Sequence, residues 1–87
     1  MSEQLLQVRI VAKNKILFEG QARSVSSHNN IGNFDILPEH SSFISLIDKS
    51  VTYVDQSGTA QEIRIKQGLI KVIDNQVTVL LELADKR

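Results

Sequence analysis

Gly32-Asn33-Phe34-Asp35-Ile36-Leu37-Pro38-Glu39-His40-Ser41-Ser42-Phe43-Ile44 is the most informative run in this 87-residue chain. Phe34 and Ile36 alternate with polar neighbours, as in a strand with one buried face, and Phe43-Ile44 opens a second strand. Between them Pro38 fixes its own φ, removes a backbone donor and pushes Leu37 toward extended geometry. A stiff corner that resists strand pairing is therefore expected at Pro38, with Glu39, His40, Ser41 and Ser42 at the surface.

The same two-residue period continues on either side. Leu6, Val8, Ile10 and Ala12 predict a first strand, Lys13-Asn14-Lys15 a polar turn, and Ile16-Leu17-Phe18 a short second strand ending at Gly20. A weaker strand runs from Ala22 to Ser27, and His28-Asn29-Asn30 reads as a turn because Asn tolerates left-handed geometry. Beyond the corner, Phe43–Ile47 and Ser50–Val54 read as two strands separated by Asp48-Lys49. Asp55-Gln56-Ser57-Gly58 predicts a hairpin into Ala60–Ile65, and Gln67-Gly68 breaks the chain before Leu69–Ile73. Asp74-Asn75 predicts a tight two-residue turn into Gln76–Leu83. No three-to-four period persists. The expected fold is all-β, a compact sandwich of about ten short, mainly antiparallel strands. It forms one domain over residues 1–87, with its strand core at 5–83.

Composition narrows the function. Ten basic and ten acidic residues are mixed along the chain, with only three Phe, one Tyr and no Trp. A nucleic-acid binder needs a basic stripe or stacking aromatics, and neither is present. The absence of cysteine leaves no disulfide framework or thiolate metal site. No apolar run reaches the length of a membrane span, so any membrane association is expected to come through partners.

Candidate chemistry is sparse. His28, Asp35, Glu39 and His40 are the residues from which a zinc site could be assembled, but His28 and His40 fall on different turns without ligand spacing. Solvated or capping histidines are the expectation, and no metal is expected. Ser41 and Ser42 beside His40 lack a nucleophile elbow and read as corner hydrogen-bonders, and Gly20, Gly32, Gly58 and Gly68 are isolated, not a phosphate loop. No catalytic residue, cofactor or small-molecule substrate is expected. A different signal comes from Ile16-Leu17-Phe18 and Leu80-Leu81, where consecutive apolar residues place hydrophobic side chains on both faces of a strand. Outward apolar residues that cluster in this way point to a partner surface.

The Gly-x-Phe-x-Ile-Leu-Pro-x-His run at residues 32–40 resembles the N-terminal β-sandwich domain of the F-type ATP synthase epsilon subunit. Ile16–Gly20, Ile63–Val72 around Gln67-Gly68, and Gln76–Leu80 are similar to the family's second strand, its paired strands around Gly-Gly, and its Val-Thr-Val-Leu closing strand. The chain departs from the family at Asp35 and Glu39, where Gly is usual, and at Ser42, where Pro is usual. Asp35 can adopt the left-handed geometry open to Gly, at a cost. The sequence ends at Ala84-Asp85-Lys86-Arg87, so regulation by the family's helical hairpin is not expected.

The resemblance implies a non-catalytic central-stalk subunit, coupling the gamma shaft to the membrane c-ring at the cytoplasmic face of a bacterial membrane or its organellar equivalent. It implies a turn facing the c-ring at Asn29, Asn30, Ile31, Gly32 and Asn33, and gamma-facing residues at His40, Ser41, Ser42, Phe43, Ala12 and Lys13. The alternatives are a free-standing β-sandwich binding module and an epsilon paralogue with another protein partner.

Overall fold

A computed structural model of the chain describes residues 4–39 and 42–84. Six strands form the fold: β1 (Leu6–Ala12), β2 (Lys15–His28), β3 (Asn33–Ile36), β4 (Phe43–Asp55), β5 (Ala60–Ile73) and β6 (Gln76–Leu83). They hydrogen-bond in the order β1-β6-β5-β4-β2-β3, and β1 also pairs with β2. That last pairing closes β1, β6, β5, β4 and β2 into a flattened ring, with β3 appended to β2.

Six strands among the described residues replace the expected number of about ten, chiefly because three pairs of neighbouring short strands are halves of long ones. Ile16–Gly20 and Ala22–Ser27 are both β2, Phe43–Ile47 and Ser50–Val54 are both β4, and Ala60–Ile65 and Leu69–Ile73 are both β5. The polar or glycine positions that read as breaks are register shifts within a continuous strand. They fall between Ala22 and Ser24, between Ile47 and Lys49, and between Ile65 and Gln67. An extra residue at such a shift bends a strand sharply without ending its pairing. The bent strands therefore serve both layers. One layer contains β3, the second half of β2, the Lys49–Val54 half of β4 and the Ala60–Ile65 half of β5; the other contains β1, β6 and the remaining halves of β2, β4 and β5. All pairs are antiparallel except β1 with β6, which run parallel from Gln7↔Gln76 to Ala12↔Leu81.

Alternation places the core. Leu6, Val8, Ile10 and Ala12 of β1 face inward, as do Val77, Val79 and Leu81 of β6 and Ile70 and Val72 of β5. Val25, Ile36, Val51 and Ile65 fill the space from the other layer. Phe18 stacks on Tyr53 with ring centroids 4.0 Å apart, and Phe34 meets Phe43 edge-on at 5.3 Å, so both aromatic pairs seal the margin of the core.

The turns follow local chemistry. Asp74 and Asn75 both have positive φ, 51° and 64°, as the expected two-residue hairpin requires. The left-handed cost foreseen at Asp35 falls instead on Glu39, with φ 67°, while Asp35 lies extended in β3 opposite Ser26. The Glu39 N–H donates to the Asn75 side-chain carbonyl, which ties the proline corner to the β5–β6 turn.

Gly68 is required by proximity. A Cβ there would lie 2.7 Å from the Leu80 carbonyl oxygen and 3.0 Å from the Leu81 Cβ. Two backbone segments would have to part to admit it. Gly68→Ala should therefore lower the unfolding free energy by about 1–3 kcal/mol, read as a reduced midpoint in urea denaturation at unchanged slope.

Candidate interaction surface

Two outward features stand apart from the core. The first is the turn joining β2 to β3. Asn29 and Gly32 exchange backbone hydrogen bonds of 3.0 and 3.1 Å, which closes the turn. The Asn29 side-chain oxygen accepts from the Ile31 and Gly32 N–H groups at 2.9 and 3.2 Å, and its amide donates to Ser45 Oγ at 3.1 Å. One side chain thus fixes the turn internally and fastens it to β4. Beside it, His28 Nδ1 lies 2.6 Å from Asp48 Oδ1, a second link between the end of β2 and the bend in β4. Gly32 has φ 148°, a conformation that favours glycine, although a Cβ there would meet nothing within 4 Å. Ile31 is held at the tip, 91% exposed.

The second feature is a row of aliphatic side chains across the outer face of the β1–β6 layer. Register aligns Leu46 with Leu69, Leu69 with Leu80, Leu80 with Val11, and Val11 with Ile16. The row crosses β4, β5, β6, β1 and β2 without interruption, and alternation makes it face outward because Ile10, Ile70 and Val79 next to it face inward. Leu46 is 76% exposed, Leu80 50% and Ile16 47%. One flank of the row is mostly polar: Lys71 and Thr78 pair across β5 and β6 and Arg9 lies 3.8 Å from Glu19, with the exposed Ile44 opposite Lys71 at its β4 end. The other flank is a shallow groove at Gly68, rimmed by Gln67 and Glu82, which hydrogen-bond at 3.1 Å. The opposite outer face has no such row. There the aligned residues are Asp35, Ser26, Thr52 and Glu62, with Ser26 Oγ donating to Asp35 at 2.6 Å.

The residues singled out from sequence distribute as follows. Asn29, Asn30, Ile31 and Gly32 form the turn, and Asn33 begins β3 opposite His28. Lys13 is exposed in the β1–β2 turn, with φ 54°. Ala12 is buried, so its side chain supports that turn and offers no outer surface. Ser42 is exposed, whereas Phe43 is half-buried against Phe34. His40 and Ser41 lie outside the described residues. Among the described residues no group of three His, Cys, Asp or Glu could hold a metal; His28 engages Asp48, and Asp35 engages Ser26. Of the consecutive apolar runs, Leu81 points inward, Leu17 and Phe18 pack against the core, and Ile16 and Leu80 belong to the outer row.

One electrostatic feature lies away from both surfaces. The Asp55 carboxylate accepts from the Ser57 hydroxyl at 2.6 Å and from the Ser57 and Thr59 N–H groups at 3.0 Å. These bonds, led by the Ser57 hydroxyl and the Thr59 amide, hold its pKa below the usual carboxylate range. Burial raises the Tyr53 phenol, with the Asp55 charge a second cause.

The described residues thus form a β-sandwich that carries a fastened turn and one apolar outer row. Comparison with known proteins places this fold in a family. Residues 5–86 match the family model for the β-sandwich domain of the ATP synthase delta/epsilon chain, and the chain belongs to that family. It is 33% identical over 78 residues to the ATP synthase epsilon chain of Nitratiruptor sp., covering 88% of this chain and 60% of that protein. It is 34% identical over 80 residues to the epsilon chain of Prochlorococcus marinus, covering 92% and 59%. The chain thus spans about three-fifths of the length of these relatives. The fold also matches a chain in the Euglena gracilis mitochondrial ATP synthase, OSCP/F1/c-ring in rotational state 1, with TM-score 0.84, 12% identity and coverage of 91% of this chain and 51% of that one. A chain in the central stalk/c-ring of the Tetrahymena thermophila mitochondrial ATP synthase matches with TM-score 0.75, 10% identity and coverage of 94% and 66%.

Two measurements check the local geometry. Asn29→Ala should speed amide exchange at Ile31 and Gly32 by about fivefold, the loss of roughly 1 kcal/mol of hydrogen bonding. Because the Asp55 pKa is lowered in the fold, its stabilisation of the 55–59 loop is fully present above the ordinary carboxylate range. It is lost as pH falls through the lowered value. Carboxyl NMR should show Asp55 titrating below the ordinary aspartate range, and Asp55→Asn should flatten the acid limb of the stability profile.

Proposed function

We propose that this chain is a non-catalytic central-stalk subunit of a rotary F-type ATP synthase. It couples the gamma shaft to the membrane c-ring during ATP synthesis. It sits on the cytoplasmic face of a bacterial membrane, or the organellar equivalent, and meets that membrane only through the complex. Family membership supplies the context, and the aliphatic row is the observation that carries the reading.

The row supports a contact with gamma by its shape. Five adjacent strands at about 4.8 Å spacing make it roughly 19 Å long, the length of about 13 residues of α-helix. Being narrow, with a mostly polar flank and Ile44 beside Leu46 only at its β4 end, it fits the apolar stripe of a helix laid across the strands, as a shaft helix would lie. Lys13 follows the row beyond Val11, and Ser42 and Phe43 precede it at the start of β4. With His40 and Ser41 these form the gamma-facing side in this proposal, Ala12 acting from below. The turn from Asn29 to Asn33 is the c-ring-facing contact. The hydroxyl-lined face of Ser26 and Thr52 is left to solvent.

Leu80 lies mid-row and half exposed, so replacing it disturbs the surface more than the core. Co-expressed with the gamma subunit, the native chain should co-purify with it. Leu80→Glu should weaken that capture at least tenfold, about 1.4 kcal/mol, with circular dichroism showing an intact fold. Failure of the native chain to co-purify would overturn the assignment.

A further inference from the structure

We propose that Asn75 is a positioning residue for the proline corner. From the β5–β6 turn, its side chain holds Glu39 in the left-handed conformation in which the corner meets a partner. The proposal rests on the central-stalk reading for the identity of that partner, the gamma subunit. It goes beyond that reading by giving a role to a residue on a different hairpin.

The corner has few holds of its own. Pro38 has no N–H to donate, Leu37 is 55% exposed, and Glu39 is exposed. Among the described residues, the bond from the Glu39 N–H to the Asn75 side-chain carbonyl is the one hydrogen bond joining residues 37–39 to the rest of the chain. It secures a conformation that the chain would otherwise leave. Glu39 has φ 67°, in a region that roughly a few per cent of non-glycine residues occupy and that a residue with a Cβ enters at a cost.

Asn75 is itself firmly placed. Its backbone carbonyl accepts from the Gln7 N–H near the start of β1 at 2.8 Å, and its side-chain amide donates to the Gln4 side chain at 3.4 Å. The turn alone does not call for asparagine. Where both residues of a two-residue hairpin have positive φ, glycine is a favoured second residue and adopts that conformation without steric cost. Asparagine adds a side-chain acceptor, and Glu39 uses it. The two roles of Asn75 are therefore separable: its backbone makes the turn, and its side chain latches the corner.

Two substitutions separate these roles. Asn75→Gly keeps the left-handed backbone and removes the acceptor, whereas Asn75→Asp keeps both. The native chain and each variant are compared by native-state amide exchange and by binding to purified gamma subunit. In Asn75→Gly, Glu39 should exchange at least about fivefold faster, while Ile70 and Val79 in the ring stay within about twofold of native. Binding to gamma should weaken at least about fivefold, because the binding-competent corner becomes a minority conformation. Asn75→Asp should bring both readouts back to within about twofold of native. Unchanged exchange at Glu39 in Asn75→Gly overturns the latch. Equal acceleration at Ile70 and Val79 overturns it too, since Asn75 would then serve the turn alone. Native-like binding by Asn75→Gly, or binding by Asn75→Asp as weak as that of Asn75→Gly, overturns the positioning role and leaves the central-stalk reading intact. Failure of the native chain to bind gamma overturns both.

Discussion

Everything in this molecule depends on β1 being paired along both edges. One edge runs antiparallel to the first half of β2, the other parallel to β6. Without it the layer would open between β2 and β6, exposing unpaired backbone on both strands and the inward faces of Val77, Val79 and Leu81. Four of its seven residues are buried, so the ring is closed by hydrogen bonds and packing together. The Gln7 N–H also donates to the Asn75 carbonyl at 2.8 Å, carrying the closure past the end of the strand into the β5–β6 turn. Full closure is one of the few ways a small β protein removes exposed strand edges.

Closure also explains the outer row. In an open sheet, an aliphatic side chain on one strand has no obligation to align with those on others. In a ring whose register is set by the buried residues, the neighbours of Ile10, Val79 and Ile70 on the opposite face must align as well. Val11, Leu80 and Leu69 are those neighbours. The row is thus the outward counterpart of the core, and each member is positioned by an inward residue adjacent in sequence.

Much of this was legible in the chain. The all-β class, the Asp74-Asn75 hairpin, the Gly58 hairpin and the proline corner follow from period and turn chemistry. The strand count did not, because a bulge and a loop share residue types: Asp48-Lys49 and Gln67-Gly68 look like turn residues yet only bend a strand. Which half of a bent strand pairs with which neighbour depends on contacts far apart in sequence. The partner surface was half legible. Ile16-Leu17-Phe18 and Leu80-Leu81 announced apolar residues on two faces, but only register shows that Ile16 and Leu80 lie in one row while Leu81 lies beneath. Ala12 reads like a surface residue beside a turn, yet the alternation from Leu6 through Val8 and Ile10 already assigns it inward. Ile31 carried no signal in its neighbours, since exposure at a turn tip is a property of the fold.

The mechanical consequence follows from the bent strands. The turn and the aliphatic row are joined by the same two continuous elements: β2 carries Ile16 into the row and ends at His28, and β4 carries Leu46 in the row and reaches Asp48 two residues later. The Asn29–Ser45 and His28–Asp48 contacts then link those strands directly beneath the turn. A load applied at Asn29–Asn33 therefore reaches the row through hydrogen-bonded strand and two side-chain links, with no flexible connector in between. Loops deform at low cost because few contacts oppose them, whereas strands inside a closed ring can shear only by breaking register along their whole length. A subunit that holds a shaft against a turning ring needs this second kind of resistance. Short separate strands joined by loops could have enclosed the same core, but they would have placed a compliant segment between the two surfaces. The long bent strands, which the sequence disguises as breaks, make the domain stiff along the path that its proposed role would load.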